Sequence, residues 1–294
     1  MPVQTVAIIS PGEMGCAVGA ELKSGGLDVI ACLAGRSALT RERAEAAGFR
    51  DVPVIEDLLG EADLVLSIIP SAVAVDTARE VASAMKASGH TPPYADCNAI
   101  SPNSTRHAGE AISGAGADYI DGGIIGSPPG KGKPPRFYVS GERAGLMTDL
   151  DGMGISVRPI GSEVGRASGL KMCYASLTKG TLALQTAVLI TAEALGLADE
   201  LHKELLSSRE AVYRQIESGA QRLPSVSARF MGEMEEIAAT YAAAGVTPKF
   251  HQGAIDVYRL LAGTPLAAET ADTIDTGRTL EEAARIFAEH LPMG

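Results

Sequence analysis

Apolar and polar positions fall into alternating blocks along the first half of the chain. Short apolar runs at Thr5–Ser10, Val29–Leu33 and Leu64–Ile69 alternate with Met14–Ser24, Thr40–Ala47 and Val73–Ala87, where apolar residues recur at helical spacing. An unbroken apolar run fits a strand covered on both faces, and a 3.6-residue period fits an amphipathic helix. Tyr94–Cys97, Tyr119–Ile125, Phe137–Ser140 and Ile155–Arg158 read as further strands. The stretch Gly126–Pro135 is too rich in Gly, Pro and Lys for either element and reads as a loop. The alternation predicts a doubly wound parallel sheet.

The pattern changes near Gly161. Beyond it the chain reads as helix at Glu163–Leu195, Asp199–Glu217, Ser227–Ala244, Phe250–Leu261 and Leu280–Glu289, punctuated by Gly245, Pro248 and Gly263-Thr-Pro265. The expected architecture is α/β: an N-terminal Rossmann doubly wound parallel sheet over residues 1–161, then an all-α domain over 162–294, with a long interdomain helix. That helix would be about 45 Å long at 1.5 Å per residue. Its Leu177–Leu195 segment is apolar on nearly all faces, which requires burial on all sides and points to a homodimer. Glu233, Glu235 and Glu236 read as a water-facing helix surface.

The first strand runs into Ser10-Pro-Gly-Glu-Met-Gly15 at the start of a helix. This is a G-x-G-x-x-G turn with Ser10 in the first glycine position. Gly12 would let the backbone approach a pyrophosphate, Gly15 would let helix pack on strand, and the helix N-terminus, opening with Glu13 and Met14, favours phosphate charge. The second strand is followed by Arg36, Ser37 and Arg41, with no acid between Val29 and Thr40. A guanidinium and a hydroxyl suit a 2′-phosphate, so NADP(H) is expected over NAD(H). The loops Ile68-Ile69-Pro70-Ser71 and Asp96-Cys97-Asn98-Ala99-Ile100-Ser101-Pro102 leave strand ends, where such sheets bind ligands. Ile69 and Pro70 would flank the adenosine side, and Asn98 the nicotinamide ribose and reaction centre. Lys171, early in the long helix, could take the hydroxyl proton in alcohol oxidation and return it in carbonyl reduction.

Length and charge narrow the partners. A chain of 294 residues allows two domains, and a net charge of −11 argues against nucleic acid or an anionic membrane as partner. No apolar run reaches the roughly 18 residues of a transmembrane helix. Cys16, Cys32, Cys97 and Cys173 form no CxxC pair, which fits a reduced cytoplasmic protein without a disulfide framework or zinc site. The partner expected is a small molecule.

The order of Gly12 and Gly15, Asp96–Pro102, Asp121–Ser127 and Gly165–Lys171 resembles the β-hydroxyacid dehydrogenase and 6-phosphogluconate dehydrogenase superfamily over the whole chain. The segments Asp121-Gly-Gly-Ile-Ile-Gly126, Leu170-Lys-Met-Cys-Tyr174 and Phe250-His-Gln-Gly-Ala254 resemble a phosphogluconate-dehydrogenase-like subfamily with a distinct C-terminal helical domain. The resemblance implies Lys171 as catalytic acid and base, Asn98 and Tyr174 beside it, and substrate contacts from Gly123, Gly126, Ser127 and His251. Tyr174 stands where the broader family has Asn, and Ile125-Gly126-Ser127 where it has Ser-Gly-Gly. Both departures speak against a simple β-hydroxyacid or 6-phosphogluconate. The apolar Ile124-Ile125 loop suggests a bulkier substrate, with imine or carbonyl reduction as an alternative and a non-catalytic dinucleotide sensor as a rival. Lys131, Lys133 and Arg136 could meet an anionic substrate or cofactor phosphate, or form a solvated loop.

Overall fold

The computed structural model describes residues 2–130, 132–220, 222–270 and 273–292. The chain divides into two compact units, one through Met172 and one from Cys173.

The first unit contains β1 (Thr5–Ile9), α1 (Glu13–Ser24), β2 (Asp28–Ala31), α2 (Ala38–Ala46), β3 (Arg50–Asp51), α3 (Ile55–Glu61), β4 (Leu64–Ser67), α4 (Ala74–Ser88), β5 (Tyr94–Asp96), α5 (Pro102–Ser113), β6 (Tyr119–Ile125), β7 (Arg136–Ser140) and β8 (Ser156–Pro159). One eight-stranded sheet has the order β3-β2-β1-β4-β5-β6-β7-β8. Strands β1 to β6 are parallel, whereas β7 runs antiparallel to β6, pairing Ile124 with Phe137. The sheet is therefore mixed at one edge. The loop between β6 and β7 returns the chain directly, without the crossover that a parallel neighbour needs.

Two apolar layers explain the unbroken apolar strands. Val6, Ile8, Val29, Leu64 and Leu66 enter one core cluster, and Ala7, Ile9, Ile30 and Val65 enter the other. Successive strand residues point to opposite faces, so both faces must be covered. Helices α3 and α5 do not stand out as apolar periods. Sequence signals for α5 exist all the same: Ser101 caps it by accepting the Ser104 amide at 3.1 Å, and Pro102 occupies the first turn.

The predicted long helix begins as α6 (Arg166–Ala175), passes through a π-helical turn at Ser176–Gly180, and continues as α7 (Thr181–Ala194). Five helices follow: α8 (Ala198–Ser208), α9 (Glu210–Ala220), α10 (Leu223–Ala243), α11 (Lys249–Ala262) and α12 (Leu280–Glu289). The predicted Asp199–Glu217 helix is two helices, broken at Arg209, whose φ of −146° is not helical. Leu189, Tyr213, Ile216, Leu280 and Ala284 form an apolar cluster in this unit. Glu233 corrects the solvated-face expectation. It is buried and meets Lys179 at 2.7 Å, with both side chains 12% exposed. Lys179 also lies over the Phe230 ring, and its carbonyl accepts the Tyr258 hydroxyl at 2.7 Å. The π turn thus sits in a paired, buried polar environment. Among the described residues, no helix is long and apolar enough to cross a membrane.

Candidate active site

Strands β1 and β4 are neighbours from which the chain winds in opposite directions, so their carboxyl ends frame the crevice where doubly wound sheets bind ligands. Ser10 leaves β1 with φ of +48°, the one non-glycine residue with positive φ among those described. Gly12 is the N-cap of α1, and a Cβ there would have nothing within 4 Å. Open space beside a helix N-terminus fits a phosphate. Glu13 and Met14 start the helix, and Met14 packs against the core.

Helix packing at this turn differs from the motif expectation. A Cβ on Gly15 would meet Ile8 Cγ2 at 3.4 Å, which is ordinary contact. A Cβ on Gly19 would lie 2.2 Å from Phe49 and 2.8 Å from Ile8. Tighter side-chain packing lies one turn further along, at Gly19, against the Phe49 ring and the end of Ile8. Gly12→Ala is therefore expected to leave the melting temperature unchanged within about a degree and to weaken dinucleotide binding about tenfold, as side-chain bulk enters the phosphate space. Paired thermal melts and nucleotide titrations check it.

At the next strand end, Ser37 caps α2 by accepting the Thr40 amide at 3.2 Å and contacts the Thr40 hydroxyl at 3.0 Å. Arg36 is exposed, while Arg41 turns back to donate to the Arg36 carbonyl. An acid does reach this strand end: Asp51 of β3 accepts the Leu33 amide at 3.0 Å. It is 18 residues away in sequence, outside the interval where an acid would be sought.

The loops after β4 and β5 are tied together by Asn98, which is buried. Its Oδ1 accepts the Ile69 amide at 2.7 Å, and its Nδ2 donates to Ser67 Oγ at 3.0 Å. Pro70 follows Ile69 and opens a short 3-10 turn. Asp96 accepts the Asn98 amide at 3.1 Å, and burial raises its carboxyl pKa to about 7.

Lys171 is held by β6. Its Nζ donates to the Ile124 carbonyl at 2.7 Å near the carboxyl end of that strand. A Cβ on Gly123 would lie 2.8 Å from the Ala167 carbonyl and 2.9 Å from Lys171 Cβ, so the bare glycine is what lets α6 approach. Asp121 is buried and binds the start of α6. Its carboxylate accepts the amides of Gly165 at 2.8 Å, Ala167 at 3.0 Å and Ser168 at 3.1 Å, and the Ser140 hydroxyl at 2.8 Å. Burial pushes its pKa up, against the opposing hydrogen bonds from Ser140 and the helix amides. The sequence carries Asp121 in a motif without marking it as functional. An acid facing a helix start 44 residues later leaves no local sequence signal.

Other sites fall differently. Ile124 and Ile125 are buried strand residues, not loop residues lining a pocket, and Ile124 joins the core. The bulky-substrate argument loses that support. Gly126 has φ of +134° and leads to exposed Ser127. Lys133 is exposed and Arg136 begins β7, whereas Lys131 lies outside the described residues. Ser168 turns toward Asp121 and the Gly165 carbonyl. Tyr174 lies on α6, 45% exposed.

In the helical unit, His251 is buried. Its Nε2 is 2.7 Å from Ser176 Oγ, its Nδ1 is unpartnered, and its ring lies 4.2 Å from that of Tyr241. Burial lowers its pKa below the usual histidine value. An open groove of about 630 Å³ beside it is lined by Ser176, Leu177, Leu184, Lys249, Phe250 and Val257, among others. Ser176 is a site candidate the sequence did not reveal.

The sheet, the turn at Gly12 and the strand-end loops define a dinucleotide-binding protein, and comparison with known proteins agrees. Residues 5–149 match the NAD binding domain of 6-phosphogluconate dehydrogenase, and residues 192–261 match a domain of unknown function (DUF1932). An uncharacterized 28.5 kDa protein in the 7S RNA 5′ region of Methanothermus fervidus is 32% identical over 184 residues, 63% of this chain and 69% of that one. A solved conserved protein of unknown function, described as structurally similar to 3-hydroxyacid dehydrogenases, is 30% identical with a TM-score of 0.64, covering 87% of this chain and 96% of that one. The 3-hydroxyisobutyrate dehydrogenase of Mycobacterium tuberculosis shares the fold at 18% identity and a TM-score of 0.69, covering 99% and 100%. The chain belongs to the superfamily with the 6-phosphogluconate dehydrogenase and hydroxyacid dehydrogenase fold.

Proposed function

We propose that the protein is an NADP(H)-dependent oxidoreductase acting on a hydroxyl or carbonyl substrate, with Lys171 as general acid and base. The observation that carries this is the Lys171 amine, fixed 2.7 Å from the Ile124 carbonyl at the ligand-binding edge of a dinucleotide-type sheet. The nicotinamide supplies the hydride chemistry when bound. Gly12, Glu13, Met14 and Gly15 would receive the pyrophosphate, and Ile69, Pro70 and Asn98 would flank the rest. Asn98 acts here by positioning, because its amide already joins two strand-end loops. Lys171 takes the hydroxyl proton in oxidation and returns it in reduction.

Gly123, Gly126, Ser127, Tyr174 and His251 are assigned to substrate. For His251, a Nε2–H donated to Ser176 leaves only a lone pair orphaned at Nδ1, which is cheaper than a buried unpaired N–H. The Ser176 hydroxyl proton is then available to a substrate oxygen. The apolar walls of the groove favour a second reading, reduction of a bulkier carbonyl or imine. Leu177 and Phe250 are 69% and 78% exposed in the single chain, which supports a homodimer. Four free cysteines support a reducing, cytoplasmic setting.

Parallel fluorescence titrations with NADPH and NADH test the cofactor assignment. NADPH is expected to bind about tenfold tighter, and Arg36→Ala to remove most of that preference. Equal affinities would assign the ribose end to Asp51 instead. A panel of hydroxyacids, aldehydes and imines then separates the two substrate readings.

A further inference from the structure

Strand β6 presents three successive features to the segment that carries Lys171. Asp121 and Gly123, two residues apart, share one face of the strand. Asp121 gathers the amides of Gly165, Ala167 and Ser168, Gly123 leaves no clearance at Ala167 and Lys171 Cβ, and the Ile124 carbonyl receives the amine. We propose that Asp121 is a positioning residue for Lys171: its carboxylate clamps the first turn of α6 to β6 and thereby fixes where the amine comes to rest. The proposal rests on the reading of Lys171 as acid and base.

The chemistry of the clamp requires a carboxylate. Helix-start amides lack intrahelical acceptors and carry partial positive charge. With the Ser140 and Ser168 hydroxyls, five donors converge on the Asp121 side chain. A carboxylate is acceptor-only, whereas Asn would turn an NH2 toward some of these donors. Ser168 is three residues before Lys171, one helical turn away, so a shift at the clamped turn carries directly to the amine. A cap serving stability alone would not need the same strand to bound the lysine Cβ and receive its Nζ. Here clamp, platform and amine acceptor are one rigid strand, so the helix start and Lys171 keep a common register.

The test uses full-length protein carrying Asp121→Asn, Asp121→Ala or Ser140→Ala. Three readouts apply: the side-chain ¹⁵N signal of Lys171, assigned by its loss in Lys171→Arg; dinucleotide affinity; and kcat and KM on any substrate found. Asp121→Asn is expected to lower kcat about 30-fold, consistent with a misplacement near 1 Å, and to leave KM and dinucleotide affinity within about twofold. It should also shift or broaden the Lys171 signal. Asp121→Ala should do more; if it fails to fold, Asn and Ser140→Ala carry the test, with Ser140→Ala the mildest. An unchanged Lys171 signal with unchanged kcat in Asp121→Asn would overturn the proposal. So would a kcat loss that merely follows loss of folded, dinucleotide-binding protein. If the wild type turns over no substrate, the oxidoreductase reading fails alone, and the Lys171 signal still decides whether Asp121 holds the amine.

Discussion

Lys171→Ala is expected to lower turnover by roughly 10²–10⁴-fold while dinucleotide affinity stays within about twofold. The hydride cannot leave an alcohol until its hydroxyl proton has somewhere to go, and a carbonyl cannot accept one without protonation of the developing alkoxide. In the proposed mechanism, the amine held by Ile124 would meet this need. The dinucleotide groups proposed here lie at the ends of β1, β2 and β4 and on Asn98, whereas Lys171 lies on α6 against β6. Loss in kcat and kcat/KM together would mark an interaction made in the transition state. Lys171→Arg should not restore activity, because a guanidinium does not give up its proton near neutral pH. Unchanged turnover in Lys171→Ala, measured by nicotinamide absorbance on an active substrate, would sink the proposed mechanism.

Gly123→Ala is expected to cost about 2 kcal/mol of stability and to lower kcat about 10–100-fold. One methyl group has this reach because of what it strikes. The new Cβ would sit 2.8 Å from the Ala167 carbonyl oxygen and 2.9 Å from Lys171 Cβ. Neither is the loose end of a flexible side chain, so relief requires moving the helix or the strand. The helix is held by the Asp121 hydrogen bonds and the strand by ladders on both sides. Displacing either moves the amine relative to Ile124. Urea unfolding and steady-state kinetics on the same preparation check both parts. A stable variant with normal kcat would show that this close approach is not needed. Gly12→Ala is the contrast: the same chemical change, made where nothing lies within 4 Å, should spare stability and act on binding.

Much of this site was legible because its signals are local. The Ser10–Gly15 turn lies between an apolar run and a helical period, and those periodicities are properties of neighbouring residues. The strand at Tyr119–Ile125 and the helix at Leu280–Glu289 match the structure at both ends for the same reason. Lys171 was conspicuous through a resemblance in motif order, and the fold places it on a strand-supported helix. Local patterning was less informative where helices are short or weakly amphipathic, as at α3, or where a cap was mistaken for loop, as at Ser101-Pro102.

The sequence by itself determined the doubly wound class of the first unit, the helical character of the second, and the turn that would receive a phosphate. Each follows from side-chain period, glycine placement or helix-start chemistry within a short window. Tertiary structure alone decided the rest. It set β7 antiparallel, brought Asp51 to the end of β2, paired Glu233 with Lys179 inside the helical unit, and turned Asp121 onto the start of α6. The last three of these arrangements join residues 18 to 54 positions apart. A polar or glycine residue carries the same local pattern whether it faces water or a distant helix, and burial and hydrogen-bond partners become defined only when the chain has folded.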